Sequence, residues 1–237
     1  MREEGTVTRA VLAIARAGAD EVSVAEQVCR ASASGLDVDG AAMSVLTTTP
    51  ARKMLAATDG TAELLEELQF SLGEGACMQA AASGYPVMVA DLVHSAEAGQ
   101  WPVFASMVVE CTDVRALFAL PLRWGAVTLG VLNLYRRTPG ALGGRQQRDV
   151  LAAVDTAALM MLGLRTDPDG AGEWLDPAVG GRMEVHQATG MVLMQLGVSA
   201  ADALARLRAH AFAERRLLIE VARDVVARRL SFSPESS

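Results

Sequence analysis

Residues 114–135, VRALFALPLRWGAVTLGVLNLY, read as two strands, Val114–Leu122 and Ala126–Tyr135, joined at Arg123-Trp124-Gly125. Aliphatic and aromatic side chains fill both runs and a glycine closes the junction, the pattern of an antiparallel hairpin. Alternation in the second run sends Val127, Leu129, Val131 and Asn133 one way and Thr128, Gly130, Leu132 and Leu134 the other. Upstream, Ala41–Thr49 and Arg52–Thr58 are strand-like and separated by a Thr-Pro-Ala turn, and Val87–Ala90 is a short strand ending in Asp91. These strands are embedded among helices. Thr8–Ala17 and Ser23–Gly35 come first, the second with Ser23 as N-cap and Glu26 three residues on. Ala62–Phe70, Ala76–Ser83, a segment around Val103–Glu110 and the long Gln146–Leu164 follow.

Beyond the strands the texture changes. Thr166–Asp176 (TDPDGAGEWLD) packs Asp, Pro and Gly together and reads as a linker. After it the pattern is purely helical. Val179–Leu196 is stopped by Gly197, and Ser199 opens a second helix in a Ser-x-x-Asp box, with Ala200, Ala203, Leu204, Leu207 and Ala211 on one stripe. Leu218, Val221, Ala222 and Val225 make the stripe of a third. The expected architecture is α+β: a domain over 1–165, a linker over 166–176, a three-helix unit over 177–232 and a frayed tail over 233–237.

Composition narrows the function classes. Of 237 residues 51% are apolar, which excludes wholesale disorder, and 4% are aromatic, which favours helices over an all-β design. The long uncharged stretch Gly75–Ala90 is interrupted by Gly, Ser, Gln and Pro, and the N-terminal apolar run Val11–Ala15 is closed by Arg16. Neither suits a membrane span or a signal peptide, so a cytoplasmic protein without membrane contact is expected. Cys29, Cys77 and Cys111 are odd in number and lack CxxC spacing, and His94, His186 and His210 are scattered, so no disulfide framework, metal or cofactor is expected. Net charge is −7, yet residues 176–237 hold eight Arg against seven acids, and 206–229 hold seven Arg against three. Such asymmetry points to two modules with different partners.

The first 165 residues resemble a GAF domain, through Gly73-Glu74-Gly75, Pro86-Val-Met-Val-Ala-Asp91, Trp101-Pro102-Val-Phe104, Val114-Arg115, Pro121-Leu122 and Gly130-Val-Leu-Asn-Leu-Tyr135 in that order. The last sixty resemble an ANTAR domain, through Gln187-Ala188-Thr189-Gly190-Met191, Ala203 with Leu207, Ala211 and Val221-Ala222. The resemblance implies a GAF-like antiparallel sheet covered by helices on one face and loops on the other, then a three-helix ANTAR-like unit. It also implies a signal-responsive regulator that binds paired RNA hairpins and prevents transcription termination. ANTAR domains commonly carry a basic residue where this chain has Thr189, and no Lys follows Lys53.

Candidate sites follow from that reading. Met43, Val45, Met88, Leu117, Phe118 and Ala119 suit a small apolar ligand of the sensor or simply a filled core. No cyclic-nucleotide or chromophore signature is visible. Arg206, Arg208, His210, Arg215, Arg216, Arg223, Arg228 and Arg229 are the candidate RNA-binding set, since arginine serves both phosphate and stacked bases. The bland alternative is solvated helix faces paired with Glu214, Glu220 and Asp224. Met160, Met161, Met191 and Met194 suggest a homodimer interface, against packing on the first helix. Some GAF-fold proteins are methionine-sulfoxide reductases with clustered cysteines. Here Cys77 sits among Ala, Met and Gln, and Cys111 follows Glu110, which disfavours an activated thiolate, so no enzyme is expected. The competing reading is a dimeric sensor or scaffold whose helical unit binds a protein partner.

Overall fold

The computed structural model describes residues 5–15, 20–46, 52–97, 99–166 and 182–233. The described residues up to 166, apart from 71–73, belong to one compact unit, and 71–73 group with those from 182 onward in a second. Residues 167–176 of the segment expected as the linker, the Thr-Pro-Ala turn at 49–51 and the tail from 234 onward lie outside the described residues.

In the first unit five strands, β1 (Gly40–Leu46), β2 (Arg52–Ala57), β3 (Val87–Val89), β4 (Ala116–Trp124) and β5 (Val127–Arg136), form one antiparallel sheet in the order β2-β1-β5-β4-β3. The hairpin read from the sequence is there, but its turn lies at Gly125-Ala126 rather than Arg123–Gly125. A register shift between Leu122 and Arg123 carries β4 two residues further than its apolar run. At Gly130, paired with Val45, a side chain would meet the Ser44 carbonyl oxygen at 2.3 Å, so glycine lets β1 and β5 approach there.

Helices cover both faces, which corrects the expectation of loops on one. α2 (Glu21–Gly35) and α7 (Gly144–Thr166) pack on one face of the sheet, with α1 (Thr6–Ala15) docked on both helices. α3 (Gly60–Leu72) and α4 (Ala76–Ser83) lie on the other, and α5 (Leu92–Glu97) and α6 (Pro102–Cys111) pair beside them. α5 was missed in the sequence because it is short and lacks a periodic stripe. α2 starts two residues earlier than expected because Asp20, not Ser23, is its N-cap: Ser23 N donates to Asp20 at 2.8 Å.

Motifs distant in sequence meet at helix starts. Pro102 has no amide hydrogen to satisfy, and the next two amides, of Val103 and Phe104, donate to Glu74 Oε1 at 2.8 and 2.6 Å. Gly73-Glu74-Gly75 and Trp101-Pro102-Val-Phe104 are therefore two halves of one contact. Asp91 likewise accepts from Val93 N at the start of α5 and pairs with Arg115 at 3.3 Å. Gly75 adopts φ 121, with Gln69 where its side chain would stand.

In the second unit α8 (Arg182–Leu196), α9 (Ala200–Ala213) and α10 (Leu218–Val226) enclose Val185, Ala188, Val192, Ala203, Leu204, Leu207, Ala211, Leu218, Val221, Ala222 and Val225, all buried. Alanine at four of these positions lets the helices approach closely. Ala200, expected on the stripe, is exposed. Ser199 caps α9 as its Ser-x-x-Asp box requires, accepting from Asp202 N at 3.1 Å. α8 turns into α9 through 105°. Among the described residues no single helix is long and apolar enough to cross a membrane.

The N-terminal helix is held by one carboxylate. Asp149 of α7 accepts from Val7 N and Thr8 N, both at 3.0 Å, and from Thr8 Oγ1 at 2.8 Å. Burial opposes ionisation of Asp149, but the bonds from Thr8 and Val7 outweigh it and hold its pKa below the ordinary value. A lowered carboxylate pKa gives stability that is complete above the unfolded value, about 4, and lost as pH falls through the folded one. Asp149→Ala is therefore expected to cost about 1–2 kcal/mol at pH 7. Urea melts between pH 7 and pH 3 should show that deficit shrinking towards the acid end.

Candidate functional site

The face of the sheet beneath α3 and α4 carries a buried polar cluster. Register places Ser44, Leu46 and Asn133 on that face, and Arg52 opposite Leu46 joins them. Arg52 is 4% exposed, Glu66 of α3 1% and Gln69 2%. Arg52 Nη1 donates to Cys77 Sγ, and Asn133 Nδ2 donates to Glu66 Oε1. Gln69 Oε1 accepts from Cys77 N at 2.7 Å. Burial drags the Arg52 pKa down, but the neighbouring Cys77 and Glu66 more than offset this, and it stays charged.

Electrostatics make Cys77 an inert thiol. Burial first, and the Glu66 charge second, push its pKa up to about 11 against the opposing influence of Arg52. Cys29 is pushed up to about 12 by burial, with Glu66 and Glu26 adding to it. Cys111, at the end of α6, is exposed, so the two cysteines considered as a pair occupy unlike settings.

The expected pocket residues divide between two faces. Met43, Val45 and Met88 share the side of Phe118, whereas Leu117 and Ala119 point to the side of Asn133. Strand alternation forbids one pocket from holding both groups. Met43, Val45, Leu117, Phe118 and Ala119 are buried and Met88 half-buried. Among the described residues a cavity lies on the Asn133 side, between Leu117, Asn133, Tyr135, Ala42, Leu65 and Gln69, and measures about 10 Å³. That is room for one water, not for a ligand. Sequence reading missed Arg52, Glu66 and Gln69, although a charged residue opening a strand and one inside an apolar helical stripe were visible signals.

In the helical unit the eight candidate cation positions separate by partner. Asp224 takes Arg216 at 2.6 Å and Arg229 at 2.6 Å, and Arg216 also stands 4.0 Å from Glu220. Hydrogen bonds from these arginines lower the Asp224 pKa. Arg223 pairs with Glu184 of α8 at 3.5 Å rather than with its own helix. His210 packs edge-on against Phe232 at 5.4 Å. Arg206 is exposed and Arg208 half-buried. Arg215 and Arg228 differ from the rest. Both are exposed, neither pairs with an acid among the described residues, and both hold positive φ, 53 and 58. Each follows a helix at the position usually given to glycine, with its amide or the next one returning to a carbonyl of the last turn. Non-glycine residues there cost stability, an outlier that points to use.

Of the methionines considered for an interface, Met161 is fully buried inside its own unit and cannot reach a partner. Met160 and Met191 are half-buried and Met194 is 79% exposed.

The family model of the GAF domain matches residues 18–161, and that of the ANTAR domain matches residues 173–226. No curated protein matches the chain in sequence. Among solved structures, the GAF domain of a phosphoenolpyruvate-protein phosphotransferase from Coxiella burnetii is similar at 15% identity and TM-score 0.53, over 70% of this chain and 95% of that one. The GAF domain of an Acinetobacter phosphoenolpyruvate-protein phosphotransferase is similar at 11% identity and TM-score 0.52, over 67% and 92%. At such identity the likeness is one of fold.

Three measurements check this geometry. A thiol reagent on the native protein, followed by mass spectrometry, should label Cys111 rapidly and leave Cys29 and Cys77 unmodified until urea is added. Arg215→Gly should raise stability by several tenths to about 1 kcal/mol by relieving the positive φ. Arg216→Ala should lower the melting temperature, because it strips Asp224 of a partner.

Proposed function

This chain belongs to the GAF-domain family and carries an ANTAR domain behind its GAF domain, and from that premise we propose that it binds paired RNA hairpins to control transcription termination, under the control of its GAF unit. Sensing and regulation come with the family. RNA is the partner we assign to the helical unit, and the observation that carries it is Arg215. This exposed guanidinium is held at the α9–α10 turn in a costly conformation and forms no ion pair among the described residues, although Glu214 precedes it. Hairpin recognition needs such uncommitted cations for phosphate and loop bases. Arg206 stands on the exposed side of α9 and belongs to the same proposed surface. Arg216, Arg223 and Arg229 are engaged with acids and serve the fold first.

The GAF unit acts in this proposal as a sensor and dimerisation module, not as an enzyme. The buried, protonated Cys77 supports that assignment, since a sulfoxide reductase needs an accessible thiolate. A small cytoplasmic molecule would reach the unit by opening the tightly filled cavity over Asn133. The signal would pass through α7 and the segment that follows it, altering the arrangement of two copies. Ligand control requires the ligand to prefer one arrangement.

Binding of the full-length protein to a paired-hairpin RNA and to a scrambled control, across a salt series, tests the reading. Preference for the paired hairpins with affinity falling steeply in salt is expected. Arg215→Glu should weaken that binding at least tenfold and flatten the salt dependence. Equal, weak binding to both RNAs would instead favour a protein partner, in keeping with the exposed Met194 and Phe212.

A further inference from the structure

The helical unit has a groove of about 570 Å³ whose floor is the outer side of α8, from Gln187 to Gln195, and whose wall is Arg228, Leu230 and Ser231 beyond α10. We propose that this groove receives an unpaired base from the RNA loop, with the Arg228 guanidinium on its phosphate. The inference rests on the RNA reading above and adds a site apart from the α9–α10 turn.

Three features of the groove have no partner among the described residues. Gly190 lies in the middle of α8, exposed, with nothing within 4 Å of where a Cβ would stand. Alanine would make a better helix there, and no packing demands its absence. Its effect is a bare patch of helix backbone, against which a flat group can lie closely. Met194 is 79% exposed and Met191 half-buried, so two thioethers border that patch. Polarisable sulfur against a ring is a favourable contact, while Met194 left in water gains nothing. Arg228 pays for its position with φ 58, is exposed, and pairs with no acid among the described residues.

The remaining lining decides the chemistry of the occupant. Gln195 is committed, its Oε1 accepting from Phe232 N at 2.9 Å, which fixes the wall against the helix. Gln187 makes no hydrogen bond among the described residues and offers both donor and acceptor at the groove's edge. No carboxylate lines the groove, and its one charge is positive. A flat apolar floor, an amide at the edge and a cation at one end match the ring face, ring edge and phosphate of a single nucleotide. An apolar protein side chain would use the floor and leave the amide and the cation idle. Thr189, although next to Gly190, takes no part: its hydroxyl donates to the Val185 carbonyl of its own helix at 2.7 Å.

The test uses the full-length protein, a paired-hairpin RNA, and the same RNA with abasic residues throughout both loops. Wild type is expected to bind the intact loops at least tenfold more tightly than the abasic ones. Gly190→Leu, which fills the floor, should erase that difference while leaving the abasic RNA bound as before. Arg228→Gly removes the cation and relieves the positive φ together. It should weaken binding to intact loops at least tenfold and lower the salt slope by about one, with no fall in melting temperature. Wild-type affinity for intact loops in both variants overturns the groove assignment. If wild type binds paired hairpins but is indifferent to abasic loops, this inference alone fails; if it binds neither RNA, the RNA reading fails first. A change of sedimentation in Gly190→Leu without a change in RNA affinity would make the groove a contact between copies and overturn the base assignment.

Discussion

A guanidinium buried to 4% exposure inside a sheet-and-helix interface is the constraint from which the first unit is organised. Arg52 can be dry only beside compensating groups: it donates to Cys77 and lies in the field of the Glu66 charge, the two brought to it from two different helices. Glu66 in turn needs a donor, which Asn133 supplies from the central strand β5. Gln69, one turn after Glu66, accepts from the Cys77 amide in the first turn of α4 and so seats Cys77. The edge strand, the central strand and both helices are thus tied by one chain of polar contacts. Hydrophobic burial alone could slide these elements by a residue, whereas hydrogen bonds of this kind fix their register. The same packing leaves a cavity of only about 10 Å³, so anything sensed on this face must displace protein atoms to enter.

The second unit handles charge in the opposite way. The core that its three helices enclose is apolar among the described residues, and Asp224 engages Arg216 and Arg229 on the surface and thereby ties the start of α10 to the chain beyond its end. Such exposed pairs contribute little stability each, but they spend cations that would otherwise face a polyanion. Formal charge counts therefore overstate the surface available for phosphate. What remains outside the pairs, Arg215 and Arg228, sits at helix ends where glycine would be easier to accommodate. Stability and charge presentation are at odds at these two positions, and the chain keeps the charge.

Much of the fold was legible because its signals are local. The hairpin in residues 114–135, the breaks at Gly84 and Gly197, and the Ser199 cap each follow from neighbours in sequence. The extent of β4 was not, since a register shift between Leu122 and Arg123 depends on the partner strand. Quoted family motifs were legible as strings but not as contacts. Glu74 meets Phe104 at the start of α6, and Asp91 meets Arg115, only once the chain is folded. For the same reason the pocket was misread. Apolar residues were gathered by type along strands without asking which face each one takes, and alternation divides Met43 and Val45 from Leu117 and Ala119. The polar cluster escaped because charged residues are ordinarily assigned to the surface.

That rule fails at Arg52, and the failure marks where physical reasoning from sequence needs geometry most. Arg52 looks like a surface charge and is core, whereas Met194, suggested for an interface between copies, is exposed. Each has a cause that pattern alone does not carry. A buried charge is tolerable when its partners arrive from distant segments, so it reports on tertiary contacts. Met194 stands beside Gly190 with 79% of its surface exposed, so none of the described residues covers this part of α8. The two units thus use polar and apolar groups in opposite ways. Polar contacts are turned inward in the first, where they hold one arrangement, and apolar surface is turned outward in the second, where the proposed base site lies.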